Sequence, residues 1–330
     1  MNSLITINSA INSFLSHTQT HESPHITTSY TQALNLFSKF LGTRGIKVTK
    51  QPASEIQPGW GTDFLSFLRE NRSVETEHAY SRALIAFYEY VSQNITPLNT
   101  NTLDKEIQSN RRHKHHKVPD IPLTAITELI EFTKETTFPF QKEPTYRQVL
   151  RFFRDRSLIL LLAETGFKVS ELCDLRLKHF NPQRRTIQFP PDFVIPLSSQ
   201  ASSALKSYLD HRSKLDSKQH LMKTDELPLL ARHDKRAGDR ILPISRWTAS
   251  NIIDEWSMLA LTEQTQTDLR ENDQRITPQS FRHYFVINML QQSDDLAATQ
   301  ALARHADRST TSRYLKSPIL TKESDNPDSK

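Results

Sequence analysis

One cysteine, Cys173, and six glycines in 330 residues are the first things this chain is short of. A single thiol excludes an intramolecular disulfide framework and fits a reducing, cytoplasmic setting, or a chain that simply uses little cysteine. Six glycines fall far below the ~7% average, and none forms a phosphate-cradling loop, which argues against P-loop and dinucleotide enzymes. Long hydrophobic runs are missing too. The longest, Leu158 to Ala163, is far short of the ~20 residues a membrane span needs. The start, MNSLITINSAINSF, has neither a basic region nor a cleavage site, so no secretion signal is expected. Charge of one sign is not in large excess: 42 Lys and Arg against 37 Asp and Glu give a formal +5, with 13 histidines besides. That balance permits a polyanionic partner without demanding one.

What is present is helical periodicity in two blocks. Residues 1–27 are rich in Ser, Thr, Asn and His and are expected to be a loose segment, with at most one ragged helix. From 28 to 108, Tyr30, Leu34, Phe37 and Leu41 share one helical face, Phe64, Leu65 and Leu68 a second, and Tyr80, Leu84, Phe87, Tyr88 and Val91 a third behind Ser73. Aromatic residues at that spacing are read as core, since apolar faces are what helices bury. Residues 109–122 hold Arg111, Arg112, His113, Lys114, His115, His116 and Lys117 before Val118-Pro119-Asp120-Ile121-Pro122, a basic, proline-ended linker. Its three histidines lack a Cys or carboxylate partner at ligand spacing, so no metal is expected there.

The second block, 123–318, starts with a helix carrying Ile126, Leu129, Ile130 and Phe132. A buried helix then ends at Gly166, and another begins near Ser170. Thr186–Phe189 and Phe193–Leu197 read as a short β-hairpin, followed by a helix from Ser199 to about Lys214. Thr277-Pro278 is a helix start, with Phe281, Phe285 and Met289 on one stripe and Gln279 and Arg282 on a neighbouring face. Asp294 is expected to cap the next helix, and a short last helix opens near Ser309. The polar tail 319–330 is expected to be loose.

The stretch from Thr277 to Tyr314, TPQSFRHYFVINMLQQSDDLAATQALARHADRSTTSRY, resembles the C-terminal signature of the tyrosine recombinases, the phage integrase family. Arg282, His305 and Tyr314 lie at that family's spacings, and Thr310-Thr311-Ser312-Arg313-Tyr314 reproduces its Thr-Thr-x-x-Tyr ending. Thr165-Gly166-Phe167-Lys168-Val169-Ser170-Glu171-Leu172 resembles its Thr-Gly-Leu-Arg-Ile-Ser-Glu-Leu box, and the hairpin-then-helix order matches as well.

The resemblance implies a mainly α protein. A helical, SAM-like core-binding domain would clamp DNA, and an α-rich catalytic domain would carry a small β-hairpin or sheet. It implies a DNA strand transferase that cuts and rejoins through a 3′-phosphotyrosyl link on Tyr314. Arg282 would stabilise the phosphate, and His305 would hydrogen-bond it or pass a proton. No cofactor and no metal are implied. Double-stranded DNA is the implied partner, with self-association into a tetramer, alone or with a second integrase-like protein, in a plasmid or phage setting and away from membranes. Arg111, Arg112, Lys114 and Lys117 in the linker, with Arg184 and Arg185 near the hairpin, are candidate phosphate contacts.

Four departures bear on the chemistry. Lys168 stands where the family has its first arginine, keeping charge but losing the planar fork. Gln279 replaces the histidine of His-x-x-Arg and cannot carry a proton at working pH. Arg304 replaces the glycine before the second histidine, where a permissive backbone matters. The turn Pro190-Pro191-Asp192 lacks the family's lysine. An active recombinase therefore competes with an integrase-fold DNA-binding protein, weakened as a catalyst, that serves maintenance or regulation. A non-DNA helical interaction protein is the third class.

Overall fold

The computed structural model describes residues 5–101, 103–105, 121–138, 143–189, 193–218, 223–293 and 295–317. The chain divides into two compact units, Met1–His115 and His116–Lys330. The expected linker lies largely outside the described residues, and with it Arg111, Arg112, Lys114 and Lys117. So do the hairpin turn 190–192, Asp294 and the tail from 318 onward. No helix among the described residues is long and apolar enough to cross a membrane.

The first unit is helical. α1 (Ile7–His21), α2 (Pro24–Thr43), α3 (Pro58–Asn71) and α4 (Val74–Asn94) surround one core. The expectation of a loose segment over 1–27 is corrected here. The Thr6 hydroxyl caps α1, and Ile7, Ala10, Ile11 and Phe14 are buried along it. That is an i, i+3, i+4, i+7 stripe, whose burial outweighs the weak helix propensity of the Ser and Asn residues between. Ser23 and Ser73 cap α2 and α4 in the same way. The core is aromatic: Phe14 meets Phe87 edge-on at 5.8 Å and Phe37 meets Phe64 at 5.2 Å. The Tyr88 hydroxyl, carried into that core, donates to Gln57 O at 2.9 Å, which spares it an unpaired buried group.

The second unit is built on α6 (Tyr146–Thr165), whose residues Leu158 to Leu162 are all buried. A helix that is apolar all round over this length has to be covered on every side. α5 (Leu123–Glu135), α8 (Ser199–Asp216) and α11 (Pro278–Ser293) supply that cover. α7 (Val169–Asp174) follows α6 after the turn at Gly166. β1 (Phe180–Asn181), β2 (Thr186–Phe189) and β3 (Phe193–Pro196) form an antiparallel sheet in that order, with Ile187 opposite both Phe180 and Ile195. The hairpin expected from sequence thus gains a short third strand. α9 (Arg246–Ala260) and α10 (Glu263–Glu271) precede α11. α12 (Leu296–Leu302) is capped by Asp295 rather than by Asp294, and α13 (Arg308–Ser312) by Asp307. A single 3-10 turn, Arg313–Lys316, then carries Tyr314.

Candidate active site

The end of α6 organises the site. Gly166 closes that helix at φ +56°, a left-handed turn that suits glycine. A Cβ there would lie 2.3 Å from Phe285 Cδ1, so the position also demands the smallest residue. The last carbonyls of a helix lack intrahelical donors and sit at the negative end of its dipole. Two guanidinium groups occupy them. Arg282 Nη1 donates to Gly166 O at 2.6 Å, and Arg304 Nη2 donates to the same oxygen at 3.1 Å.

Arg282 comes from the first turn and a half of α11 and is only 3% exposed. Its Nη2 donates to Ala303 O, which ties α11 to the end of α12. Burial pulls its pKa below the ordinary guanidinium value, with Glu171 opposing and Arg304 adding to the fall. It remains a cation, since guanidinium starts above 12. Two of its five N–H groups are committed to carbonyls.

Arg304 adopts φ +53°. Its side chain is 7% exposed, pairs with Glu171 Oε2 at 3.1 Å, and lies over the rings of Phe167 (4.7 Å) and Phe189 (5.6 Å). Lys168, by contrast, is exposed, and its backbone N–H donates to the same Glu171 Oε2 at 2.8 Å. The arginine absent from 168 is thus matched by one that reaches the α6–α7 turn from 304.

His305 follows directly. Its Nδ1 is 2.8 Å from Thr311 Oγ1, and its ring lies parallel to that of Tyr314, with centroids 6.4 Å apart and an 8° interplanar angle. Its pKa is pushed down to about 4 by burial, then by Arg282, Arg313, Lys168 and Arg304. Lys168 therefore belongs to the electrostatics of the site even though its ammonium faces solvent.

Tyr314 is 1% exposed, seated among Phe285, Val286, Leu290 and Ala303. Burial raises its pKa above the ordinary phenol value, while Arg313 and Arg282 pull the other way. Arg313 lies 5.2 Å from its ring centroid. Its hydroxyl is hydrogen-bonded to His283 Nδ1. His283 in turn places Nε2 3.3 Å from the amide of Gln279, which is exposed one turn earlier on α11.

Tyr314, His305, Arg282 and Lys168 are brought together, and Gln279 joins them through His283. Arg184 and Arg185 occupy the exposed turn between β1 and β2. There the Arg184 N–H donates to Asn181 Oδ1 at 2.9 Å, and Arg185 O accepts from the Leu197 N–H at 2.8 Å. His283 and Arg313 were not singled out from sequence. The available signal for His283 was its place next to Arg282 and four residues after Gln279, one helical turn away.

A model of the phage integrase family matches residues 145–318. The chain belongs to the phage integrase family. Tyrosine recombinase XerA of Pyrococcus furiosus is 29% identical to this family member over 167 residues, 49% of each chain. Tyrosine recombinase XerC of Anoxybacillus flavithermus is 32% identical over 166 residues, again 49% of each. The integrase-family chain thus spans about half the length of those curated relatives. Among solved structures, the Tn1549 transposon integrase in complex with a circular intermediate DNA aligns over 94% of both chains with a TM-score of 0.60 at 15% identity, a likeness of fold.

Proposed function

We propose that this integrase-family chain is a site-specific DNA strand transferase with Tyr314 as its nucleophile. The observation that carries the reading is that Arg282 and His305 both lie beside the Tyr314 phenol, backed by guanidinium groups anchored at the end of α6. The Tyr314 oxygen attacks the scissile phosphorus and forms a 3′-phosphotyrosyl link, freeing a 5′-hydroxyl that another strand uses to reverse the step. The covalent link conserves the phosphodiester energy. Arg282, fixed by two carbonyls before any substrate arrives, stabilises charge on the non-bridging oxygens as the phosphorane forms. His305, neutral at pH 7, offers one hydrogen bond to the same phosphate. Lys168 supplies charge from the solvent side.

The helices α1 to α4 of the first unit form the DNA-clamping domain in this reading, and the basic stretch 109–122 crosses the phosphate backbone. Arg184 and Arg185 add contacts of the same salt-dependent kind. Double-stranded DNA is the partner, and the working form is a tetramer on DNA, built from this chain alone or with a second integrase-like protein.

A second reading is favoured by the exposed Gln279 and Lys168 and by the burial of Tyr314: the chain binds DNA in maintenance or regulation with little chemistry. Covalent trapping on nicked duplexes tiled across the chain's own genetic element decides between them. A protease-sensitive, denaturant-stable DNA band that disappears in Tyr314→Phe supports the transferase. Salt-sensitive binding to a defined site with no such band supports the second reading.

A further inference from the structure

We propose that His283 is the base that takes the phenol proton from Tyr314, with Gln279 as the residue that positions its ring. The proposal rests on the strand-transfer reading above and names the proton acceptor that reading needs. Burial holds Tyr314 above the ordinary phenol pKa, so at neutral pH the nucleophile carries its proton and has to lose it as it attacks.

Geometry separates the two histidines near that oxygen. His305 has its Nδ1 on Thr311 and its ring parallel to the phenol. His283 points Nδ1 directly at the hydroxyl, with ring centroids 5.6 Å apart and planes inclined at 44°. A ring nitrogen accepts a proton only when bare, and the other nitrogen's partner decides which one is bare. As placed, the amide nitrogen of Gln279 lies 3.3 Å from Nε2 of His283. The amide oxygen and nitrogen exchange places by one rotation of an exposed side chain. With the oxygen toward the ring, Nε2–H donates to Gln279, and Nδ1 presents its lone pair to Tyr314. Gln279 cannot move a proton itself, but it can fix the tautomer. That gives the family's substituted position a task of its own in this chain.

The charged and titratable groups around His283 are Arg282 on its own helix, His305 on the segment after α12, and Arg313 and Tyr314 on the last turn. Burial, the two arginines and His305 hold the imidazole down to about 4, neutral but a weak base. A phosphodiester seated on Arg282 would bring a negative charge that offsets this repulsion. Its arrival would therefore raise the proton affinity of His283 when attack begins.

The step balances. The Tyr314 oxygen–phosphorus bond forms while its proton passes to His283 Nδ1. The phosphorus–O5′ bond breaks, and the leaving oxygen takes a proton from water. His283 returns its proton to Tyr314 when the strand is rejoined.

The test uses the full chain and the duplex that traps it, remade with sulfur in place of the bridging 5′-oxygen. A thiolate leaves without an acid, so the remaining pH dependence reports the base. In His283→Gln the adduct rate at pH 7 should fall about 10²-fold. It should then climb with hydroxide across the range where the wild type has levelled off, with DNA retardation unchanged. Should that variant fail to bind DNA, Gln279→Leu carries the test: a loss of about tenfold, restored by Gln279→Glu, which holds the same tautomer. Ring ¹⁵N shifts of the free protein should report Nε2–H and a bare Nδ1. A His283→Gln rate within about threefold of wild type overturns the assignment, as does a loss of equal size at every pH or the opposite tautomer. A wild type that forms no adduct on the thiolate duplex at any pH sinks the strand-transfer reading itself, and this assignment with it.

Discussion

The Arg304 guanidinium meets the Glu171 carboxylate at 3.1 Å while its own backbone is held at φ +53°. A non-glycine residue in the left-handed region costs about 1 kcal/mol or more. It persists here because the side chain bridges the α6–α7 turn and packs on Phe167 and Phe189. Arg304→Gly should relieve that strain yet remove the buried partner of Glu171, a loss of roughly 3 kcal/mol. The net expectation is a lower Tm, by about 4–8 °C. A Tm at or above wild type in a thermal melt would show that the pair adds nothing beyond its strain.

Gly166→Ala should be far worse than a backbone effect. Its Cβ would collide with Phe285, and the shift would move the carbonyl that both arginines hold. A loss of roughly 3 kcal/mol or more is expected. Gly238 has a similar φ, +61°, but nothing within 4 Å of its virtual Cβ. Gly238→Ala should therefore cost only about 1 kcal/mol. Equal urea midpoints for the two variants would contradict this account.

Arg212 on α8 is fully buried and donates to Tyr208 Oη, Pro228 O and Leu229 O, with Asp216 as its ionic partner. Arg212→Leu strands all of them, so a loss of about 3–5 kcal/mol is expected. The drop in urea midpoint measures it, and a midpoint shift worth under about 1 kcal/mol would mean the network is solvated.

Acid should destabilise the second unit. Burial, the first cause in each case, holds His283 and His305 near 4 and His233 near 3, against 6.5 for a free imidazole. Between those values the unfolded chain binds the extra protons. The stability they contribute is whole above about 6.5 and is lost as pH falls towards 4. Asp155 runs the other way: burial raises it to about 6 despite Arg154, so it favours the folded state as pH falls from about 6 towards 3.8. Three groups against one give a Tm that declines from pH 7 to pH 4.5. His233→Gln should flatten that decline, whereas a Tm that holds steady or rises into acid would refute it.

Much of the site was legible because its residues are close in sequence and its elements are short. The spacing of Arg282, His305 and Tyr314 could be read directly, and Gly166 announced a helix stop. The left-handed turn at 304 was foreshadowed by the expectation of glycine there. His283 escaped because a lone histidine on a helix is ordinary. Its contact with the Tyr314 hydroxyl, 31 positions away, exists only through the packing of the last turn against α11. α1 escaped for a different reason: Ser, Thr and Asn between its buried residues mask a stripe that tertiary burial makes decisive.

Tyr314 sits on a single 3-10 turn behind a five-residue helix, closed by the Ser317 N–H to Tyr314 O bond at 2.8 Å. Pieces this short have little cooperativity of their own. Presenting the phenol therefore asks for a local opening rather than unfolding of the unit. Amide hydrogen exchange would register this as weak protection over 313–317 beside strong protection over 158–162. On the strand-transfer reading, access to the phenol would then be metered by a fluctuation of the resting protein, and its availability set by how often one turn lets go.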